Sequence, residues 1–330
     1  FVSGQLSGSV NGRLAMTTTQ QGEGWQQSST TGETLGEKDE IGVRVLLDWA
    51  ASDEVSVLFN LHTNRDKSDG QAAFATGVHN YGAPVSSMAP VTETGNPYLY
   101  VGLNAALTGA GANPGNIAPS QTFVDMTEYL QQSQDSTQAD WSLKPQRNNR
   151  AWGTSVTVNW DIADDYTLTS ISAYDSFKRD EDFDYDGTAL AIMDVANKSE
   201  ISSYSQELRL AFTGEEIDVI SGLYLASNEV DENILGDISN SLGGSGGAFG
   251  FNKYQQTYQQ KTENMGLFGH AEWQLSEEFR LIGGLRYTRE ERQWSGCTYD
   301  VDGDIAWFFN NVMGVSKPGF EAFEEGECLT

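Results

Sequence analysis

Apolar residues recur at every second position through much of this chain, most clearly in 265–292, MGLFGHAEWQLSEEFRLIGGLRYTREER. Before an acidic turn at Ser276, Glu277 and Glu278, the residues Leu267, Gly269, Ala271, Trp273 and Leu275 share one face, and Phe268, His270, Glu272 and Gln274 the other. After it, Phe279, Leu281, Gly283, Leu285 and Tyr287 stand against Arg280, Ile282, Gly284, Arg286 and Thr288. A period of two belongs to strands, so the segment predicts an antiparallel hairpin with one apolar and one wetter face. The same corner recurs as WAASDEVSV at 49–57, WDIADDYTL at 160–168 and, one residue tighter, FTGEEIDV at 212–219. Trp49, Trp160 and Trp273 each stand four residues before the first acid of the pair at the turn, and Phe212 holds the matching place in the tighter copy. Aromatic residues at one height in repeated hairpins predict a girdle at a membrane interface.

Short turns are expected at 6–9, 50–54, 161–165, 213–216 and 275–278, and long loops at 20–40, 64–148, 178–199, 229–258 and 293–330. In the longest, most of the prolines gather with Gly, Asn and Ser, and only 123–132 shows a helical spacing. The tract SLGGSGGAFG at 241–250 reads as a flexible loop core, and a slip in alternation over 166–177 predicts a bulge in that strand. Short and long connections alternate without exception. A soluble sandwich spreads loop length over both ends, whereas a membrane barrel keeps tight turns on the periplasmic side and long loops outside. The expected fold is therefore all-β, a transmembrane antiparallel up-and-down β-barrel to which residues 1–330 contribute about ten strands. Because the chain opens on Phe1 in mid-pattern and stops inside a loop, a piece of something longer is expected.

The mean hydropathy of -0.44 does not oppose this reading, since a barrel spends only every second strand residue on lipid. No apolar run reaches the ~18 residues of a membrane helix. Nineteen basic against forty-seven acidic residues, a net charge of -28, argue against nucleic acid as a partner. The two cysteines, Cys297 and Cys328, bracket an acidic Gly-containing stretch and predict a loop-closing disulfide in an oxidising compartment, with too few ligands for zinc.

Candidate chemistry is sparse. Asp182, Asp184 and Asp186, followed by Gly187, fit the first half of a calcium loop, but Met193 stands where a bidentate glutamate would close it. Asp300, Asp302 and Asp304 form a looser version inside the cysteine-bracketed segment. For both groups a solvated acidic loop is the alternative. His62, His79 and His270 stand alone and no nucleophile motif, phosphate loop or dinucleotide fingerprint occurs, so no enzyme activity is expected. Loop aromatics (Trp25, Tyr81, Tyr98, Tyr100, Trp141, Trp307, Phe308 and Phe309) could line a ligand surface or pack the loops together, and no ligand contact is assigned.

The strings SSYSQELRLAF at 202–212, VISGLYLASNEVDE at 219–232 and the 265–292 hairpin resemble the barrel strands of TonB-dependent outer-membrane receptors, as does RLAMTTTQQGEGWQ at 13–26. The likeness covers nearly all strand segments and leaves out the long loops. It implies a 22-stranded barrel, with the plug domain, the TonB-contacting box and the closing strand outside this chain. It also implies energy-coupled uptake of a scarce nutrient: a ferric siderophore or similar chelate, haem, cobalamin or an oligosaccharide. The partners would be Gram-negative outer-membrane lipid, the TonB complex acting through the plug, and the nutrient itself. No cofactor is required on this reading, and calcium in the acidic loops is the one candidate. The alternatives are a passive porin-like channel and a surface structural or adhesion barrel with calcium-binding loops.

Overall fold

The computed structural model describes residues 1–74, 136–189, 191–239, 252–308, 310, 322–324 and 326–328. Its strands are β1 (Val2–Ser7), β2 (Val10–Gln21), β3 (Gln26–Gln27), β4 (Thr34–Leu35), β5 (Lys38–Ala50), β6 (Val55–Asp66) and β7 (Gln146–Arg147). They continue as β8 (Asn149–Ala163), β9 (Tyr166–Asp184), β10 (Asp194–Thr213), β11 (Ile217–Asp237), β12 (Lys253–Ser276) and β13 (Phe279–Asp300), and a short helix α1 (Asp304–Phe308) follows. Ten strands pair with their chain neighbours in the order β1-β2-β5-β6-β8-β9-β10-β11-β12-β13; β7 adds to β9, and β3 and β4 form a separate ribbon. All ten-strand pairings are antiparallel, so the sheet is an up-and-down meander. Among the described residues β1 and β13 are its two edges and do not pair with each other.

The register carries the alternation of the sequence from strand to strand. Val57 faces Val158, Leu208 faces Leu223, and Leu223 faces Leu267, so one side of the sheet is an apolar band. Arg44, His62, Asp175, Glu207, Arg209 and His270 occupy the other parity and make a polar face. Among the described residues nothing packs on the apolar band: Leu267 is 51% exposed, Met16 61% and Leu285 82%. A contiguous apolar surface of this width marks a contact with lipid or another partner, not a water-exposed face.

Every short turn falls at one end of the sheet. The turns shrink to Gly8 and Ser9, 51–54, Asp164 and Asp165, 214–216, and Glu277 and Glu278. Three register shifts lie beside them, at Gln5/Ser7, Asp161/Ala163 and Gln274/Ser276. The bulge expected within 166–177 is not in β9: the extra residue of the β8–β9 shift, Ile162, lies on β8, and from Thr167 onward β9 keeps register with both neighbours; polar Ser170 and Ser172 on the apolar parity caused the slip.

At the other end the strands outrun the boundaries read from hydrophobicity. The loops expected at 178–199 and 229–258 contract to 185–193 and 238–252, and β13 reaches Asp300 although a loop was expected from 293. Alternation reports a contrast between two environments, and where both faces are wet it vanishes while the backbone ladder continues. The 24-residue β12 shows this, opening on KYQQTYQQKTEN before its apolar positions begin. A membrane strand needs only about 9–11 residues, so these strands stand well clear of a bilayer. Within the longest connection, residues 75–135, including the helix expected at 123–132, lie outside the described residues, as does the 241–250 tract.

Cys297 and Cys328 are joined with an S–S distance of 2.07 Å across 31 residues. Closing a loop of that size in the unfolded chain contributes ~3–4 kcal/mol. The bond returns 326–328 to β13, where Tyr299 bridges Cys328.

Candidate functional site

Trp49 faces Val10 and Val57, Trp160 faces Val55 and Leu168, and Trp273 faces Ile217 and Leu281. Phe212 faces Tyr166 and Val219, with its ring 4.8 Å from that of Tyr166. All four residues lie on the apolar face close to the short turns, and the three indoles remain 44–49% exposed. A second aromatic row crosses the same face farther up, where the Trp152 ring lies 5.1 Å from that of Tyr174, tilted by 43°, and Tyr174 faces Tyr204. Trp152 lies about 26 Å along the strand from Trp160 at ~3.3 Å per residue, which at the ~40° tilt of a barrel strand is ~20 Å of height, within the ~25 Å of a barrel's apolar band. The sequence reading missed this row, although Trp152 shares the alternation of β8.

On the polar face, charges meet in pairs. Arg209 donates two hydrogen bonds to Glu207, at 2.7 and 3.0 Å. Glu272 sits between His270, at 3.0 Å, and Arg280. His62 on β6 reaches Asp175 on β9, at 3.2 Å, across the intervening β8. Gly153 makes that possible, because a Cβ there would stand 2.0 Å from the Asp175 carboxylate.

The long-connection end holds the only hydrophobic cluster buried among the described residues: Leu35, Ala72, Ala139 and Trp141. Trp141 therefore packs the connections together, the second of the two roles open to it, while Trp25 and Trp307 are 45% and 58% exposed. Tyr81, Tyr98, Tyr100 and Phe309, and the Phe308 side chain, lie outside the described residues. Beside the cluster Asp140 is completely buried. Its carboxylate accepts from the hydroxyls of Ser28 and Ser29, both at 2.6 Å, and from the backbone N–H and hydroxyl of Thr30, both at 3.0 Å. Gln26, 1% exposed, adds a reciprocal pair with the Ala72 backbone. No sequence signal marked this anchor, since its two halves are more than a hundred positions apart.

The structure redraws the first acidic group. Asp182 does not join it; its carboxylate accepts from Gln146 at 2.7 Å as β7 pairs with β9. Asp184 and Asp186 are joined instead by Asp194, which lies directly opposite Asp184 in the β9–β10 ladder, and the three offer ligand atoms within 4.8 Å of one another. The place of Met193 is explained too: its backbone N–H donates to Asp186, and the carboxylate comes from the next residue. The second acidic group does not assemble among the described residues. Asp300 spends its oxygens on the backbone N–H groups of Gly303 and Ala306 at the start of α1, and Asp304 accepts from Asn252.

Asp184 and Asp194 lie about 60 Å along β9 from the short-turn end, far beyond the apolar band. Burial raises the pKa of Asp184 to about 6, with the charge of Asp186 adding and the Gly187 N–H opposing. Burial also lifts Asp194 to about 6, with the charges of Asp184, Asp186 and Asp237 adding and the Ser142 hydroxyl opposing. A carboxyl raised in the fold stabilises it fully below the ordinary value of 3.8 and loses that contribution as pH rises through about 6. With divalent cations chelated, protection of the backbone at 184–194 should therefore fall between pH 5 and 7, measured by hydrogen exchange corrected for intrinsic rate. A flat profile would contradict the assignment.

A family model described as "TonB dependent receptor-like, beta-barrel" matches residues 81–310. Among solved structures, the chain is similar to the ferric yersiniabactin uptake receptor FyuA from Yersinia pestis, at 14% identity and a TM-score of 0.60, over 92% of this chain and 38% of that one. The ferric citrate transporter FecA matches at 12% and 0.54, over 91% and 36%. The ferric-catecholate import receptor Fiu from E. coli K12 matches at 10% and 0.53, over 99% and 42%. The chain thus spans less than half the length of these receptors. No curated protein matches it by sequence.

Proposed function

Since the chain belongs to the TonB-dependent receptor β-barrel family of the Gram-negative outer membrane, a family of transporters and not of enzymes, we propose that it forms part of the barrel of a receptor for energy-coupled uptake of a scarce nutrient. The observation that carries this reading is the two-sided sheet: an apolar band left exposed among the described residues and edged by aromatics, backed by a face of paired charges. On this reading the apolar face meets lipid, the polar face lines the lumen around a plug, and the short turns are periplasmic. The long connections then lie outside the cell, where Asp140 ties two of them to each other. TonB would act through the plug, and the nutrient would enter from the long-connection side.

The relatives named above are receptors for ferric chelates, which makes iron chelates the first substrates to test. Deletion of the complete gene should abolish growth on at least one chelate as sole iron source, and inactivation of TonB should produce the same loss. Uptake that persists without TonB would instead identify a passive channel, and unchanged growth with lost surface attachment would identify an adhesion barrel.

A further inference from the structure

The β9–β10–β11 register sets Asp184, Asp194 and Asp237 in one row, an arrangement in which like charges repel. Asp237 is balanced by Lys253, whose Nζ lies 3.7 Å away. Asp184, Asp186 and Asp194 have no such partner: among the described residues no lysine or arginine pairs with any of them. Asp184 is 3% exposed and Asp194 7%. Most of their oxygens are already oriented by hydrogen bonds. Asp184 accepts from the N–H groups of Asp186, Gly187 and Ser142 at 2.9–3.0 Å, and Asp194 Oδ2 accepts from the Ser142 hydroxyl at 2.5 Å. Asp194 Oδ1 is the exception, a buried oxygen with no hydrogen-bond partner, on a carboxylate that offers a ligand atom within 4.8 Å of the other two. A buried carboxylate oxygen left unsatisfied is costly, and a hard cation removes the cost along with the repulsion.

We propose that Asp184, Asp186 and Asp194 hold a calcium ion that fastens the returning connection at Ser142 to the β9–β10 rim. Oxygens within 4.8 Å of one another suit an ion whose ligands stand about 2.4 Å from it on either side. The oxygens come from two strand ends and the turn between them, the adaptable type of ligand set that calcium accepts and magnesium does not. Gly187 supports the turn with φ of 72°, and the connection also touches it, since a Cβ there would lie 2.5 Å from the Ala73 carbonyl oxygen. The site therefore joins the segments on both sides of residues 75–135 to the sheet. It does not depend on what the receptor carries.

The test uses the full-length protein in detergent, stripped with a chelator and titrated with calcium chloride at neutral pH. Calcium should bind saturably in the ~10⁻⁵–10⁻³ M range and slow hydrogen exchange across 142–147 and 184–194. Asp194→Asn should weaken that response at least tenfold while heat-modifiable barrel folding stays intact, and Asp186→Asn should do the same. Asp182→Asn, outside the cluster, should respond as wild type does. An equal calcium response in wild type and Asp194→Asn, equal protection by magnesium, or no change up to ~10 mM calcium would each overturn the proposal.

Discussion

Leu223→Arg should remove most of the folded, heat-modifiable receptor from outer-membrane preparations, while Ser205→Arg leaves it at the wild-type level. Leu223 lies at mid-height in the apolar band of β11, flanked by Leu208 and Leu267, which are 42% and 51% exposed. If that band meets hydrocarbon, an arginine there costs ~2–4 kcal/mol, a shift of roughly 30-fold to almost 1000-fold in the folding equilibrium. Ser205 lies on the other parity, facing Ala173 and Ala226 on the polar side, where a guanidinium can stay hydrated. Equal yields from the two variants would mean that the faces do not meet different media.

Asp140→Ala should raise hydrogen exchange by about 100-fold or more across 26–31 and 136–142 without changing the mid-height strands. Its fully buried carboxylate satisfies four donors, one on the buried Ser28 and three on the exposed Ser29 and Thr30, and alanine leaves them without that acceptor. Losing four hydrogen bonds to a charged acceptor at ~1.5–3 kcal/mol each, partly repaid by water at Ser29 and Thr30, costs at least ~3 kcal/mol. Asp140→Asn keeps the shape but turns one acceptor into a donor facing hydroxyls, so its effect should be intermediate. Wild-type protection in Asp140→Ala would show that the Leu35, Ala72, Ala139 and Trp141 cluster holds the connections without it.

What the sequence disclosed follows where the environment changes from one side of a strand to the other. The hairpins around Trp49, Trp160 and Trp273, their acidic corners and the separation of short from long connections were legible because lipid-type and water-type positions alternate there. Strand ends such as 178–184 and 253–263 were not, because polar residues on both faces carry no periodicity while the ladder persists. Asp194 was missed because it joins Asp184 through register, which linear spacing does not reveal. The same holds for Asp140 and Ser28, Ser29 and Thr30, where chain return through a long connection makes the contact. The row of Trp152, Tyr174 and Tyr204 was within reach, since Trp152 stands an even number of residues before Trp160 and so shares its face, but no acidic corner marks it.

The most direct test of the two-sided sheet is a nitroxide scan along β8 in outer-membrane vesicles, with labels placed singly at Ser155, Val156, Thr157 and Val158. Val156 and Val158 face Phe59 and Val57 on the apolar side, and Ser155 and Thr157 take the opposite parity. Dissolved oxygen should relax the labels at 156 and 158 more strongly, and a water-soluble nickel chelate those at 155 and 157. Equal access of the nickel chelate to all four positions, or the reverse alternation, would contradict a sheet with lipid on its apolar face.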